Sequence, residues 1–191
     1  MKLPIAYYGE SILRKKTEPV VKIDQTIRQL VEDMAETMEA NDGCGLAAPQ
    51  VHQSLSLFIT CIPRYVDEDT VLPGELRVFI NPKIVSYSQE VWPCTEGCLS
   101  IPGLRETVVR PLKVTIEATN LENITFVDEF VGFDAHVIMH ENDHINGVLY
   151  IDRLPPRRKK EIQGYLREIK KIIATKNQNN LSPTNFLNVK R

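Results

Sequence analysis

The stretch "HENDH", residues 140 to 144, sets His140 and His144 four positions apart with Glu141 between them. On a helix, residues i and i+4 lie one above the other on the same face. Two imidazoles so placed can chelate one ion, and Glu141 then stands beside a metal-bound water rather than on the metal, which is the mechanical content of H-E-x-x-H. The run that leads into it, "GFDAHVIMHENDHI", reads as a helix with an inward stripe of Phe133, Val137, His140 and His144. Buried imidazoles at the end of that stripe are costly unless something compensates them, and a metal does.

Two histidines leave a third ligand to be found. One peptidase pattern continues H-E-x-x-H-x-x-G-x-x-H, and here Gly147 is in place but Tyr150 stands where the third His belongs. Another pattern takes a Glu from a following helix. Glu161 and Glu168 are available, but both lie in a strongly basic segment that supplies them with salt-bridge partners. The remaining strong candidate lies upstream, Cys98 in "EGCLS", where a thiolate suits zinc or ferrous iron and Gly97 allows close backbone approach.

With 191 residues, 42% of them hydrophobic and 25% charged, the chain suits one soluble domain with its own core. No apolar run approaches the ~20 residues that span a bilayer. The start, "MKLPIAYYGESILRKK", carries no secretory signal pattern, so the expected location is cytoplasmic, with no membrane and no DNA among its partners. The four cysteines, Cys44, Cys61, Cys94 and Cys98, are expected as free thiols. "WPCTEGCLS" looks extended, so Cys94 and Cys98 would stand about 13 Å apart, beyond the about 7 Å a disulfide tolerates between Cα atoms. The net charge of −2 hides an asymmetry: residues 157–191 carry ten Lys/Arg against two Glu. That segment is the one candidate surface for a polyanion.

"DQTIRQLVEDMAETMEAND" reads as a helix, with Asp24 as N-cap, Gly43 as stop, and Ile27, Leu30, Val31, Met34 and Met38 on one face. "LSLFITCI", "RVFINPKIV", "LKVTIEATN" and "ITFVDEF" read as strands, the last two joined by "LEN" as a hairpin. "YVDEDTVLPGE" reads as a polar loop. After the histidine helix, "VLYIDRL" reads as a strand. Pro155-Pro156 opens a last helix to about Ala174, with Ile162, Tyr165, Leu166, Ile169, Ile172 and Ile173 as its stripe. The expected organisation is a single catalytic domain over residues 1–175 and a flexible tail over 176–191. Helices and strands without a βαβ rhythm point to an α+β class.

"GCGLAAPQ", Gly43 to Gln50, is a helix stop and tight turn on one reading and a backbone running close to a ligand on the other. Taken in order, "GCGLAAPQ", "EGCLS" and "HENDH" resemble the three motifs of the peptide deformylases, and "YYGESILRKKTEPV" is similar to the family's opening. The resemblance implies antiparallel sheets packed around a central helix that carries the histidines. It implies removal of formate from N-formylmethionyl nascent peptides by a monomer. Carried over by position, Cys98, His140 and His144 hold one divalent ion, Fe(II), with Zn, Ni or Co as replacements. Glu141 acts as general acid and base, while Gln50 and the Leu99 N–H stabilise the oxyanion. Gly45 and Gly97 line the cleft, Cys44, Phe133 and Val137 shape the methionine pocket with Leu99, and Asp143 pairs with Arg110.

The chain departs from the family pattern at Cys44 and Met139, and at His136, where an aliphatic residue is usual. His136 is therefore expected at the pocket edge or partly exposed, rather than as a fourth ligand. Two other readings stand beside the deformylase one. In the first, a zinc endopeptidase uses Glu168 as its third ligand. In the second, a binding protein docks on RNA or the ribosome through the basic C-terminal helix and holds a merely structural metal.

Overall fold

A computed structural model describes residues 1–65, 67 and 70–179. In chain order its elements are α1 (Gln25–Glu39), β1 (Gly45–Ala47), β2 (Leu57–Cys61), β3 (Arg64–Tyr65), β4 (Val71–Leu72), β5 (Leu76–Tyr87), β6 (Val91–Cys98), β7 (Ile101–Pro111), β8 (Lys113–Thr119), β9 (Thr125–Val131), α2 (Phe133–Ile145) and α3 (Pro156–Asn179). The architecture is α+β, as expected. Short 3-10 turns punctuate it at Ser11–Arg14, Ala48–Val51 and Tyr150–Arg153.

Five antiparallel strands form the main sheet in the order β1-β2-β5-β8-β9, and β6 and β7 pair as a separate long hairpin. Alternation along β1 and β2 sends their side chains to two different cores. Leu46, Leu57 and Ile59 pack with Ile27, Val31, Met34 and Met38 of α1. Ala47 and Phe58 pack on the other face with Ala135, Ile138 and Met139 of α2. A third cluster seats Ile162, Leu166, Ile169 and Ile173 of α3 against Ile101, Val108 and Tyr150. The sheet thus lies between α1 and α2, with the β6–β7 hairpin and α3 beyond α2.

Asp24 caps α1 as its type and position suggest, accepting from the N–H groups of Thr26 and Ile27 at 3.0 and 3.2 Å. The chain turns out of α1 one residue earlier than expected, because Asp42 and not Gly43 takes the left-handed conformation (φ 53°). The β8–β9 hairpin is closed by the Asn120 side chain, which accepts from the N–H groups of Glu122 and Ile124.

Four expectations need correction. "VLYIDRL" is a 3-10 turn rather than a strand: Leu149, Tyr150, Ile151 and Leu154 are all buried, without strand alternation, and the Asp152 carboxylate accepts the Leu149 N–H at 2.8 Å. Strand β7 was not foreseen as a strand, since its inward positions include Glu106 and Arg110 and so break the apolar rhythm. Helix α2 is not amphipathic. Ala135 through Glu141 are all buried, because the sheet covers one side of the helix and the β6–β7 hairpin packs near the other. Helix α3 runs to Asn179, past the Thr175 boundary. Residues 180–191 of the expected tail lie outside the described residues, as do Val66, Glu68 and Asp69 of the expected polar loop.

The end of α2 is fixed by Gly147, at φ +72°, where an added Cβ would meet the Arg14 carbonyl at 2.8 Å. By contrast Gly164, within α3, has nothing within 4 Å of its Cβ position. Gly147→Ala is therefore expected to cost about 2 kcal/mol or more, a left-handed penalty plus a backbone clash. Gly164→Ala should gain about 0.5–1 kcal/mol. Urea unfolding of both variants measures the two signs directly.

Candidate active site

Helix α2 lays His140 and His144 one turn apart on one face, with ring centroids 5.0 Å apart. The last residue of β6, Cys98, reaches them from the hairpin. Its Sγ lies 3.3 Å from His144 Nε2, and ligand atoms of Cys98, His140 and His144 all fall within 4.8 Å of one another. A tetrahedral ion with M–S about 2.3 Å and M–N about 2.0–2.1 Å would separate sulfur and nitrogen by about 3.6 Å. The donor set, one thiolate and two imidazoles, is one that zinc and ferrous iron accept.

The surroundings favour a cation at this point. His140 Nδ1 meets Glu96 Oε2 at 2.8 Å, which leaves its Nε2 for a ligand. Burial opposes charge on the His140 ring, yet the Cys98 sulfur and the Glu96 carboxylate outweigh burial and raise its pKa well above the ordinary value. Burial pushes the His144 pKa well below the ordinary value, and the charges of His140, Arg110 and Arg14 add to that. Tyr150, fully buried, stacks on the His140 ring at 5.8 Å and donates its hydroxyl to the Leu104 carbonyl.

Glu141 is buried beside the pair, and its Oε2 has no hydrogen-bond partner among the described residues. His144 Nδ1 is likewise unpartnered. Buried polar atoms of this kind carry a desolvation cost, and a water held by an ion at the Cys98–His140–His144 cluster would satisfy the carboxylate. Burial pushes the Glu141 carboxyl up to about 7, close to the pH at which one group both takes and gives a proton.

Gln50 sits in the 3-10 turn after β1. Its Oε1 accepts the Ala47 N–H at 2.8 Å, which fixes the amide orientation and turns Nε2 toward Cys98 Sγ (3.5 Å) and Ser100 Oγ (3.4 Å). Leu99 follows Cys98 in the turn that closes the β6–β7 hairpin. Gly45 runs so close to α2 that a Cβ there would lie 2.5 Å from Glu141 Oε1. Cys44, one residue earlier, is half-buried, and its thiol pKa is raised by burial and by neighbouring Cys61 and Glu141. Gly97 is exposed opposite Arg105 in the hairpin register. Val137 is buried on α2, whereas Phe133 is 43% exposed in its first turn. Glu168 is exposed on α3 and does not belong to the Cys98–His140–His144 cluster, and Glu161 pairs with Arg157 and Arg158. Cys94 and Cys98 are free thiols on one extended strand.

His136 needs correction. It is 2% exposed rather than partly exposed, and both ring nitrogens are engaged: Nδ1 by Glu96 Oε1 at 3.1 Å, Nε2 by the Trp92 carbonyl at 3.0 Å. Glu96 itself went unread in the sequence. A signal existed, since in a strand the residue two before Cys98 shares its face. Arg110 meets Glu96 through Nε and Nη2 at 2.5 and 2.9 Å and Asp143 through Nη1 at 2.8 Å, the Arg110–Asp143 pairing the motifs suggested. Arg153, also unforeseen, donates to both oxygens of Asp143.

A cysteine sulfur, two imidazoles and a buried carboxylate converging on one point make the site of a metallohydrolase. The sequence model of the family "Polypeptide deformylase" matches residues 2–160. The peptide deformylase of Pseudothermotoga lettingae is 41% identical over 165 residues, 86% of this chain and 90% of that one. Among solved structures, the Ehrlichia chaffeensis peptide deformylase superposes with a TM-score of 0.81 at 32% identity, covering 95% of this chain and 100% of that one. A class I type b peptide deformylase from Acinetobacter baumannii, solved with Met-Ala-Ser bound, gives 0.75 at 34%, covering 81% and 99%. The chain belongs to the polypeptide deformylase family. It is a metal-dependent hydrolase that removes the N-formyl group from newly made polypeptides and releases formate. Among the described residues no helix is long and apolar enough to cross a membrane.

The approach of Gly45 to Glu141 yields a test. Gly45→Ala should leave the fold intact while displacing the carboxylate, lowering kcat for deformylation at least ~10²-fold, the typical share of a positioned acid–base group. Formate release under saturating metal measures it.

Proposed function

We propose that Cys98, His140 and His144 hold the catalytic divalent ion and that Glu141 is the general acid and base. In this reading the Gln50 amide and the Leu99 N–H stabilise the oxyanion. The observation that carries it is the convergence of three ligand atoms within 4.8 Å beside a buried carboxylate whose Oε2 is unpartnered. When bound, the ion lowers the pKa of water and polarises the formyl carbonyl. Glu141 takes the proton that the attacking water gives up. As the formyl carbon becomes tetrahedral, Gln50 Nε2 and the Leu99 N–H donate to the oxygen that gains charge. Losing one such donor typically costs about 3 kcal/mol of barrier. Glu141 then delivers its proton to the departing amine, so formate and a free N-terminus leave together. The two roles need a carboxyl that titrates near neutrality, which supports placing them on Glu141.

Substrate would lie along Gly45 and Gly97, with Cys44, Val137, Leu99 and, at the mouth, Phe133 around the methionine side chain. The Met-Ala-Ser bound to the Acinetobacter relative supports a methionyl peptide as ligand. Fe(II) is proposed as the native metal, with Zn, Ni or Co able to replace it. Residues 1–175 would act as one catalytic unit, monomeric and cytoplasmic. Ribosome contact through α3 is a further proposal. Arg157, Arg158 and Lys159 on that helix already have partners within the chain and Lys170 lies over Tyr8, which leaves fewer charges for docking than the sequence count suggests.

Glu141→Gln should retain stoichiometric metal and lose ~10²–10⁴-fold in kcat. Cys98→Ala should lose the metal itself. Metal analysis of anaerobically purified protein, paired with formate release, decides both; near-wild-type turnover in Glu141→Gln would reject the acid–base role. The iron assignment predicts loss of activity in air, slowed when zinc or nickel replaces iron, since ferrous iron and its thiolate oxidise readily.

A further inference from the structure

His136 stands one turn before His140 on α2 and takes no part in the chemistry described above. It is nonetheless buried, and both its contacts go to one strand. Its Nδ1 meets Glu96 Oε1 at 3.1 Å, its Nε2 meets the Trp92 carbonyl at 3.0 Å, and the Trp92 ring lies edge-on to it at 5.3 Å. Trp92 and Glu96 both belong to β6, the strand that ends in Cys98. Glu96 spends its other oxygen on His140 Nδ1 at 2.8 Å, and Arg110 donates to both oxygens. One carboxylate therefore bridges two histidines of α2, and the first of these is anchored a second time to the same strand.

We propose that His136 is a positioning residue that clamps β6 to α2 and so sets the distance and orientation between Cys98 and the His140–His144 pair. The proposal rests on those three residues being the metal ligands. Two links from one side chain to β6, four residues apart, fix where the strand runs against the helix in a way that a single contact does not. Through Glu96, the same clamp holds the His140 ring with Nε2 presented to the ion. Arg110 joins the same hairpin to α2 further along the helix, at Asp143, and reaches the His140 ring only through Glu96. Residues that orient ligands in this way typically contribute 10–100-fold to metal affinity.

The test measures the Co(II) dissociation constant by anaerobic chelator competition, together with the thiolate-to-cobalt absorption band. His136→Leu removes both links, and His136→Asn places an amide N–H where Nδ1 stands and keeps the link to Glu96. His136→Leu is expected to bind Co(II) 10–100-fold more weakly with a shifted band, and its KM for a formylmethionyl peptide at saturating metal should be unchanged. His136→Asn should recover most of the affinity. If His136→Leu does not fold, His136→Gln replaces it, keeping reach to Trp92 but not to Glu96, and the clamp requires Asn to bind Co(II) more tightly than Gln. Wild-type affinity and band in His136→Leu would overturn the proposal, as would a raised KM with unchanged affinity, which would place His136 in substrate binding. Cys98→Ala, titrated alongside, separates the two levels: it should abolish the thiolate band. A band that persists there would reject the ligand assignment, and the clamp with it.

Discussion

The site depends on one buried guanidinium. Arg110, 2% exposed on β7, holds Glu96 of its partner strand with two N–H groups and Asp143 of α2 with a third. Against the upward push of burial, the hydrogen bonds from Arg110, His136 and His140 keep the Glu96 carboxyl far below the usual carboxylate range. A buried ion network of this sort is a poor source of stability, because desolvation consumes most of the attraction. What it supplies is position. It joins the hairpin that ends in Cys98 to the helix that carries both imidazoles.

From that docking the chemistry follows. The hairpin and the β1 strand close over α2 so completely that Glu141 is buried, and burial is what lifts its pKa to about 7. The same closeness means that any side chain at Gly45 would have to displace the Glu141 carboxylate. Gln50 is oriented by the Ala47 main chain, with its amide Nε2 toward the Cys98 sulfur. Glu141, on α2, and Gln50, in the turn after β1, thus approach the Cys98–His140–His144 cluster from two different elements.

Much of this was legible in the residues. "HENDH" on a helix, Tyr150 in place of a third His, and Cys98 beside a glycine pointed to the three residues that the structure brings together. The Asp24 cap, the α1 stripe and the β8–β9 hairpin could be read from local periodicity and turn chemistry. What could not be read depends on tertiary context. Strand β7 hides its period because two of its inward residues, Glu106 and Arg110, are charged, and these meet partners far away in sequence. His136 was read as a pocket residue from the family position it matches, and its burial could not be foreseen because its anchors, Trp92 and Glu96, lie 44 and 40 positions away. The strand-like "VLYIDRL" is bent into a 3-10 turn by Asp152, itself paired with Arg14.

The most direct test of the Arg110 hub is a double-mutant cycle on Arg110→Met and Glu96→Gln, read by urea unfolding of the metal-free protein. A hub that orders the site requires each single change to be strongly destabilising and the pair to be much less so than their sum, with a coupling of about 2 kcal/mol or more. Additive effects, with coupling near zero, would show that the hairpin docks on α2 without the ion network and would contradict the account.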